Sequence, residues 1–242
     1  FATGASTFNA LTVEADGEVD ANINVTTDTG ALAIDADDDN NAATGDGRLD
    51  IATGVQLASK TTLTLDATEG GIVFAGTGTL NAEAGITITD AVTATAGNIT
   101  IDADVDNNGT GTFTNSAAFN AAGRTLDITA GTVDFNGTVA AATLNITDSH
   151  GGGIGLGGTA VSDFRLSGAD LQQVTTTTLM ELITAGGVTV NGITADNSNT
   201  VNTLTIDSGG VIGFATGAST FNALTVEADQ GVDVAQVLTT DT

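Results

Sequence analysis

One sixteen-residue segment occurs twice in this chain, letter for letter. Residues 1–16, FATGASTFNALTVEAD, recur at 214–229, and both stretches end in TTDT, at 26–29 and 239–242. The offset is 213 residues in each case. Self-similarity over such a distance is the signature of a repeat architecture. We therefore interpret residues 1–242 as one continuous window of a tandem array, with one unit at 1–213 and the start of the next at 214–242.

A finer pattern lies inside the unit. Three-residue steps of the form apolar–x–apolar, such as Leu126–Ile128, Leu144–Ile146 and Leu204–Ile206, recur along the chain, and Gly, Asn, Asp or Thr follows most of them. This alternation predicts short strands with one buried face, joined by tight corners. Similar strands recur at a loose period of about 20 residues, which one coil of a β-solenoid requires.

The period predicts an all-β solenoid with coils of about 20 residues, or about ten or eleven coils per unit. In this register Leu126 and Ile128 stack on Leu144 and Ile146 of the next coil. A Phe-Asn-Ala motif occurs three times, and we expect its phenylalanines to form an aromatic rung at one fixed corner; they are Phe8, Phe119 and Phe221.

One segment departs from the strand pattern. Apolar residues from Leu166 to Val174 follow helical spacing, and Ser167 with Asp170 resembles a capping box. We predict one short helix near 167–174 and a return to strand near 179–183.

The charge balance excludes several functions. The chain has 4 Lys and Arg against 30 Asp and Glu, a net charge of −26. Four cations cannot build a basic face, so nucleic acid is not an expected partner. No apolar run approaches the length of a membrane span, so we predict no membrane insertion in this segment. With one His and no Cys, Trp or Tyr, the chain is predicted not to be an enzyme.

Two acidic loops are candidate calcium sites, because oxygen ligands at alternate positions are what a flexible loop needs to surround Ca²⁺. The candidate ligands of the first loop are Asp35, Asp37, Asp39, Asn41 and Asp46. The weaker second loop offers Asp102, Asp104 and Asp106 and has no closing carboxylate. Asn40 stands where such loops usually carry glycine, so ordinary solvated turns are the favoured interpretation. No cofactor is required, and Ca²⁺ is the one candidate ion.

The segment GGGIGLGGTAVSDFRLSGADLQQVTTTTLMELITAGGVTVNGI, residues 151–193, resembles parts of very large bacterial filamentous-haemagglutinin-like repeat proteins. The shared order is a Gly-rich turn, a short Leu-Ser-x-Ala-Asp-Leu element and a strand with an apolar-Thr-apolar step. Residues 96–131 look similar to the same family. The resemblance implies a right-handed parallel β-helix, display at the cell surface or secretion, and adhesive or structural work.

These observations predict a segment of an extracellular fibre or surface stalk. Expected partners are copies of itself along or beside the fibre, and cell-surface or matrix glycans. One alternative is a Ca²⁺-dependent surface-layer or adhesive module of β-sandwich repeats. A less favoured one is a carbohydrate-active enzyme, because the cations are scattered and no Trp or Tyr could form a sugar platform.

Overall fold

The computed structural model describes residues 1–41, 47–158 and 163–241. Its strands, in chain order, are β1 (Ser6–Phe8), β2 (Leu11–Glu14), β3 (Glu18–Ala21), β4 (Val25–Thr27), β5 (Leu32–Asp35), β6 (Arg48–Ile51), β7 (Val55–Ser59), β8 (Leu63–Asp66), β9 (Ile72–Phe74), β10 (Gly78–Ala82), β11 (Ile86–Ile88), β12 (Val92–Ala94), β13 (Ile99–Asp102), β14 (Thr112–Asn115), β15 (Phe119–Ala130), β16 (Thr132–Phe135), β17 (Val139–Asp148), β18 (Ile154–Gly157), β19 (Phe164–Leu166), β20 (Val174–Thr184), β21 (Val188–Asn191), β22 (Leu204–Ser208), β23 (Ile212–Phe214), β24 (Ser219–Phe221), β25 (Leu224–Ala228), β26 (Val232–Val234) and β27 (Leu238–Thr240). The helices are α1 (Gly168–Gln172) and α2 (Ala195–Ser198).

The chain winds over three faces in rotation, and every strand pair of the described residues is parallel. Face one holds β1, β4, β7, β10, β13, the second halves of β15, β17 and β20, then β22 and β25. Face two holds β2, β5, β8, β11, β14, β16, β19, β18, β21, β23 and β26. Face three holds β3, β6, β9, β12, the first halves of β15, β17 and β20, then Val201, β24 and β27. The predicted parallel β-solenoid is confirmed.

The core is a set of ladders made by the inward-facing residue of each strand. On face one, Leu126 stacks on Leu144, which stacks on Met180, and Ile128 stacks on Ile146. All five side chains are buried. The predicted stacking of these two strands is therefore confirmed, and alternate residues point outward, as a one-sided strand requires.

Coil length varies more than the sequence pattern indicated. The shortest face-one step is 18 residues, from Leu126 to Leu144, and the longest is 36, from Leu144 to Met180. Face one is visited ten times between Ser6 and Ala228. The coils are longer than predicted because some corners carry long loops, and a loop outside the wall is not limited by the width of the core.

The predicted helix is confirmed as α1, with the predicted capping box. The Asp170 amide donates to Ser167 Oγ at 3.1 Å, and the Ser167 amide donates to Asp170 Oδ2 at 2.8 Å. Leu171 is buried and fixes the helix to the core. The strand predicted after it is part of β20. The second helix, α2, was not predicted; it contacts α1 at the same corner in the next coil.

The predicted aromatic rung is wrong in one respect. Phe8 lies on face one, where it pairs with Thr27, whereas Phe119 lies on face three between Val92 and Val139. Phe221 also lies on face three. The Phe-Asn-Ala corner is therefore the same local structure used at different corners of the coil.

Candidate functional site

The first acidic loop turns its carboxylates toward the backbone. Asp35 Oδ1 accepts from the Asp37 amide at 3.0 Å, and Asp39 Oδ1 accepts from the Asn41 amide at 3.2 Å. The Asp37 side chain is buried, and its Oδ2 accepts from the Glu69 amide of the next coil at 2.9 Å. The fifth candidate ligand, Asp46, lies outside the described residues.

The second acidic loop has the same design. Asp102 Oδ1 accepts from the Asp104 amide at 3.1 Å, and burial raises the pKa of the Asp102 carboxyl above its ordinary value. The Asp104 side chain is fully buried. It accepts from the Gly109 amide at 2.8 Å, from the Gly111 amide at 3.4 Å and from the Ser149 hydroxyl of a later coil. Asp106 is exposed.

The two loops share one turn. Asn40 and Asn107, each three residues after the buried aspartate, have positive φ angles of 49° and 54°, and each donates its amide to the carbonyl of that aspartate. Asparagine tolerates this conformation better than other residues with a side chain. The alternating aspartates therefore build side-chain-to-backbone turns that anchor one coil to another. Calcium binding at the eight candidate ligands stays a prediction.

A different acidic group lies on the outside of face three. Glu18, Asp20 and Asp50 can bring one carboxylate oxygen each within 4.8 Å of one another, the one such group found among the described residues. Arg48 lies in the same group: its Nε donates to Asp50 Oδ2 at 2.9 Å, and its guanidinium is 3.6 Å from Glu18 Oε1. The guanidinium supplies counter-charge where a cation would otherwise sit. Sequence reasoning missed this group, because its members are distant in sequence and meet only through the β3–β6 register.

Acidic residues also stack along one edge of face two. Glu14 pairs with Asp35, and Asp35 pairs with Asp66, in successive coils. Burial raises the pKa of Asp66 to about 6, and a hydrogen bond from Asp90 and its negative charge add to the shift. The folded chain therefore holds a proton at Asp66 more tightly than the unfolded chain does.

This proton predicts a pH dependence. Because the pKa of Asp66 is raised on folding from 3.8 to about 6, its contribution to stability falls as the pH rises from about 4 to about 6. Asp66→Asn should therefore raise stability at neutral pH by about 1 kcal/mol, discounted for partial exposure, and leave it unchanged near pH 3.5. Thermal melting across this range measures the difference. Asp207→Asn, which removes one negative charge from an exposed position, is the control; an equal gain from both variants would mean that only net charge matters.

The largest surface cavity is a polar notch beside α1. It has a volume of about 480 Å³ and lies between the end of β16 and the helix; its polar lining includes Thr132, Asp134, Asn136, Arg165, Asp170 and Gln173. Asp170 is already engaged, because its two oxygens accept from the amides of Phe135 and Ser167. The notch can form hydrogen bonds with a small polar molecule, but it does not assemble an acid–base pair.

The lone histidine does not form a catalytic group with its neighbours. Asp148 accepts from the backbone amide of His150 at 3.2 Å, and Ser149 donates its hydroxyl to Asp104. The His150 ring faces the carbonyl of Asn107, with Nδ1 at 3.3 Å. Asp148 instead holds a corner, since its Oδ2 also accepts from the Gly153 amide at 2.9 Å and from the Thr184 hydroxyl at 2.8 Å.

Comparison with known proteins adds no relative. No protein-family model, no curated protein and no solved structure matches the chain. Within the described ranges, neither helix is long and apolar enough to cross a membrane.

Proposed function

We propose that this chain is a segment of a long extracellular or cell-surface fibre, in which the solenoid acts as a spacer or stalk. The observation that carries the proposal is the placement of the two identical sixteen-residue segments near opposite ends of one stack of coils. Each segment pairs with the following coil in the same register: Ser6 with Val25, and Ser219 with Leu238, both 19 residues on. A sequence that repeats and a coil register that repeats with it describe an array that can be extended.

The core supports the same role. Its ladders run from the first coil to the last on face one, so each coil is stabilised by its neighbours rather than by a separate domain core. The buried aspartates add cross-links between coils. The known chemistry of the described residues is spent on holding the wall together.

The surface charge fits a fibre that stays separate from others. A net charge of −26 on a rod repels neighbouring rods at low salt. The surface location and the adhesive role come from the family resemblance. We propose glycans or other copies of the chain as partners on that ground.

Extending the chain tests the proposal. Residue 242 matches residue 29, so copies of residues 30–242 can be appended in register. Each copy adds nearly nine coils, and at about 4.8 Å per coil it should lengthen the rod by about 42 Å at constant diameter. Electron microscopy and small-angle X-ray scattering measure this increase. Particles that grow in all directions as copies are added would contradict the fibre.

A further inference from the structure

The two identical segments have the same local structure. Ser6 and Phe8 of the first copy face inward on β1, and Leu11 and Val13 face inward on β2; the second copy repeats this on β24 and β25. The coil-to-coil register is also the same, as the 19-residue offset shows. The sequence therefore specifies the strand, the corner and the pairing distance.

The two copies nevertheless lie on different faces. In the first copy, β1 is on face one and β2 is on face two, where Leu11 pairs with Leu32. In the second copy, β25 is on face one, because Leu224 pairs with Leu204 of the preceding coil. The strand before it, β24, lies on face three, where the Asn222 side chain donates to the Val201 carbonyl at 3.3 Å. The second copy is thus displaced by one face.

Counting coils gives the rotation. Eight complete coils lead from β1 to β22 on face one, and two more faces lead to β24, so one unit spans eight and two-thirds coils. We infer that each unit of the array is turned by one third of a revolution relative to the unit before it. This inference rests on the proposed fibre and specifies how its units join.

The exposed end of the last coil supports this junction. In the first copy, Val19 and Ala21 of β3 are 7% and 0% exposed, because Leu49 and Ile51 of β6 cover them. The equivalent residues of the second copy, Val232 and Val234, are 49% and 53% exposed. The occupant that fits them is the next stretch of the same repeat, in the register of β6.

The rotation determines how the fibre displays its side features. The notch and the two helices occur once in each unit, all at the corner between faces two and three. A one-third turn presents them in three directions along the rod. The same direction returns after three units, which is 26 coils or about 125 Å at the usual strand spacing.

Engineered disulfides test the face shift in the 242-residue chain, which has no cysteine of its own. Asp207 pairs with Glu227 across face one, so the double variant D207C/E227C should form a disulfide under mild oxidation. The pair A215C/E227C should not, because those strands would be neighbours only if the second copy lay on face two. The pair E14C/D35C, from the first copy on face two, is the positive control. Crosslinking of A215C/E227C in place of D207C/E227C would overturn the inference.

A label on the extended chain tests the rotation between units. Gln172 is exposed on α1, so Q172C can carry one small gold cluster per unit in a chain with three or more appended copies. Electron tomography should show clusters about 42 Å apart along the rod in three directions, with the first direction returning at about 125 Å. Clusters in a single line on a straight rod would overturn the rotation and leave the fibre proposal intact. The absence of a rod would contradict both.

Discussion

Replacing Leu144 by Ala is expected to lower the free energy of unfolding by about 3 kcal/mol. Leu144 is fully buried and stacked between Leu126 and Met180. Parallel ladders on both sides hold the backbone in place, so the neighbours cannot close over the missing side chain, and a cavity remains. Since each coil depends on its neighbours, the damage should concentrate in the coils on either side.

Thermal melting should show a fall in Tm of about 6–12 °C, at 2–4 °C per kcal/mol for a chain of this size. Hydrogen exchange should quicken in residues 125–130 and 179–184, the strands that pair with residues 143–148. Thr147 lies outward on the same strand, and Thr147→Ala should change stability by no more than about 0.5 kcal/mol. Equal losses from the two variants would contradict the inward ladder.

Replacing Asp104 by Ala should be about as damaging, again about 3 kcal/mol. The side chain is 0% exposed, and its carboxylate accepts from the amides of Gly109 and Gly111 and from the Ser149 hydroxyl. Removing it leaves these donors without their acceptor in a site that water does not reach readily. An unmet buried donor costs about 1–3 kcal/mol, and the losses in one network do not simply add.

The same variant separates an anchoring role from calcium binding. If the carboxylate works through amides and a hydroxyl, the loss should be equal in millimolar calcium and in chelator. Asp106→Ala is the matched control: a calcium loop would use this residue as a ligand, whereas the structure places it in solvent with only the Asn108 side chain as a partner at 2.8 Å. Calcium-dependent losses in both variants would instead favour the calcium-binding adhesive module.

The ladders could be predicted from sequence because their rule is local. An apolar–x–apolar step has one buried face wherever it occurs, and the repetition of Leu-x-Ile at 126–128 and 144–146 was enough to set their register. The helix was equally local, since Ser167 and Asp170 carry the whole capping signal. These features need no knowledge of what lies across the core.

Coil length and the roles of the aspartates could not be predicted in this way. The coil from Leu144 to Met180 includes β19, which lies between β16 and β18 on face two although it follows β18 in the chain. No spacing rule indicates such a return. Asp37 and Asp104 looked like ion ligands because their partners, Glu69 and Ser149, are 32 and 45 residues away. The displacement of the second copy to another face depends on the sum of all coil lengths, so it too was hidden.

Because all strands are parallel, the hydrogen bonds between coils run along the rod axis. Tension applied to the two ends would load the bonds of one terminal coil at a time, and the rod would peel rather than shear. A detached coil lengthens by up to about 3.3–3.6 Å per residue. The 18-residue coil that starts at Leu126 would release about 60 Å, and the 36-residue coil that starts at Leu144 about 120 Å. A stretched fibre would therefore yield in steps of unequal size, and the longest step would mark the coil that carries α1, once in every unit.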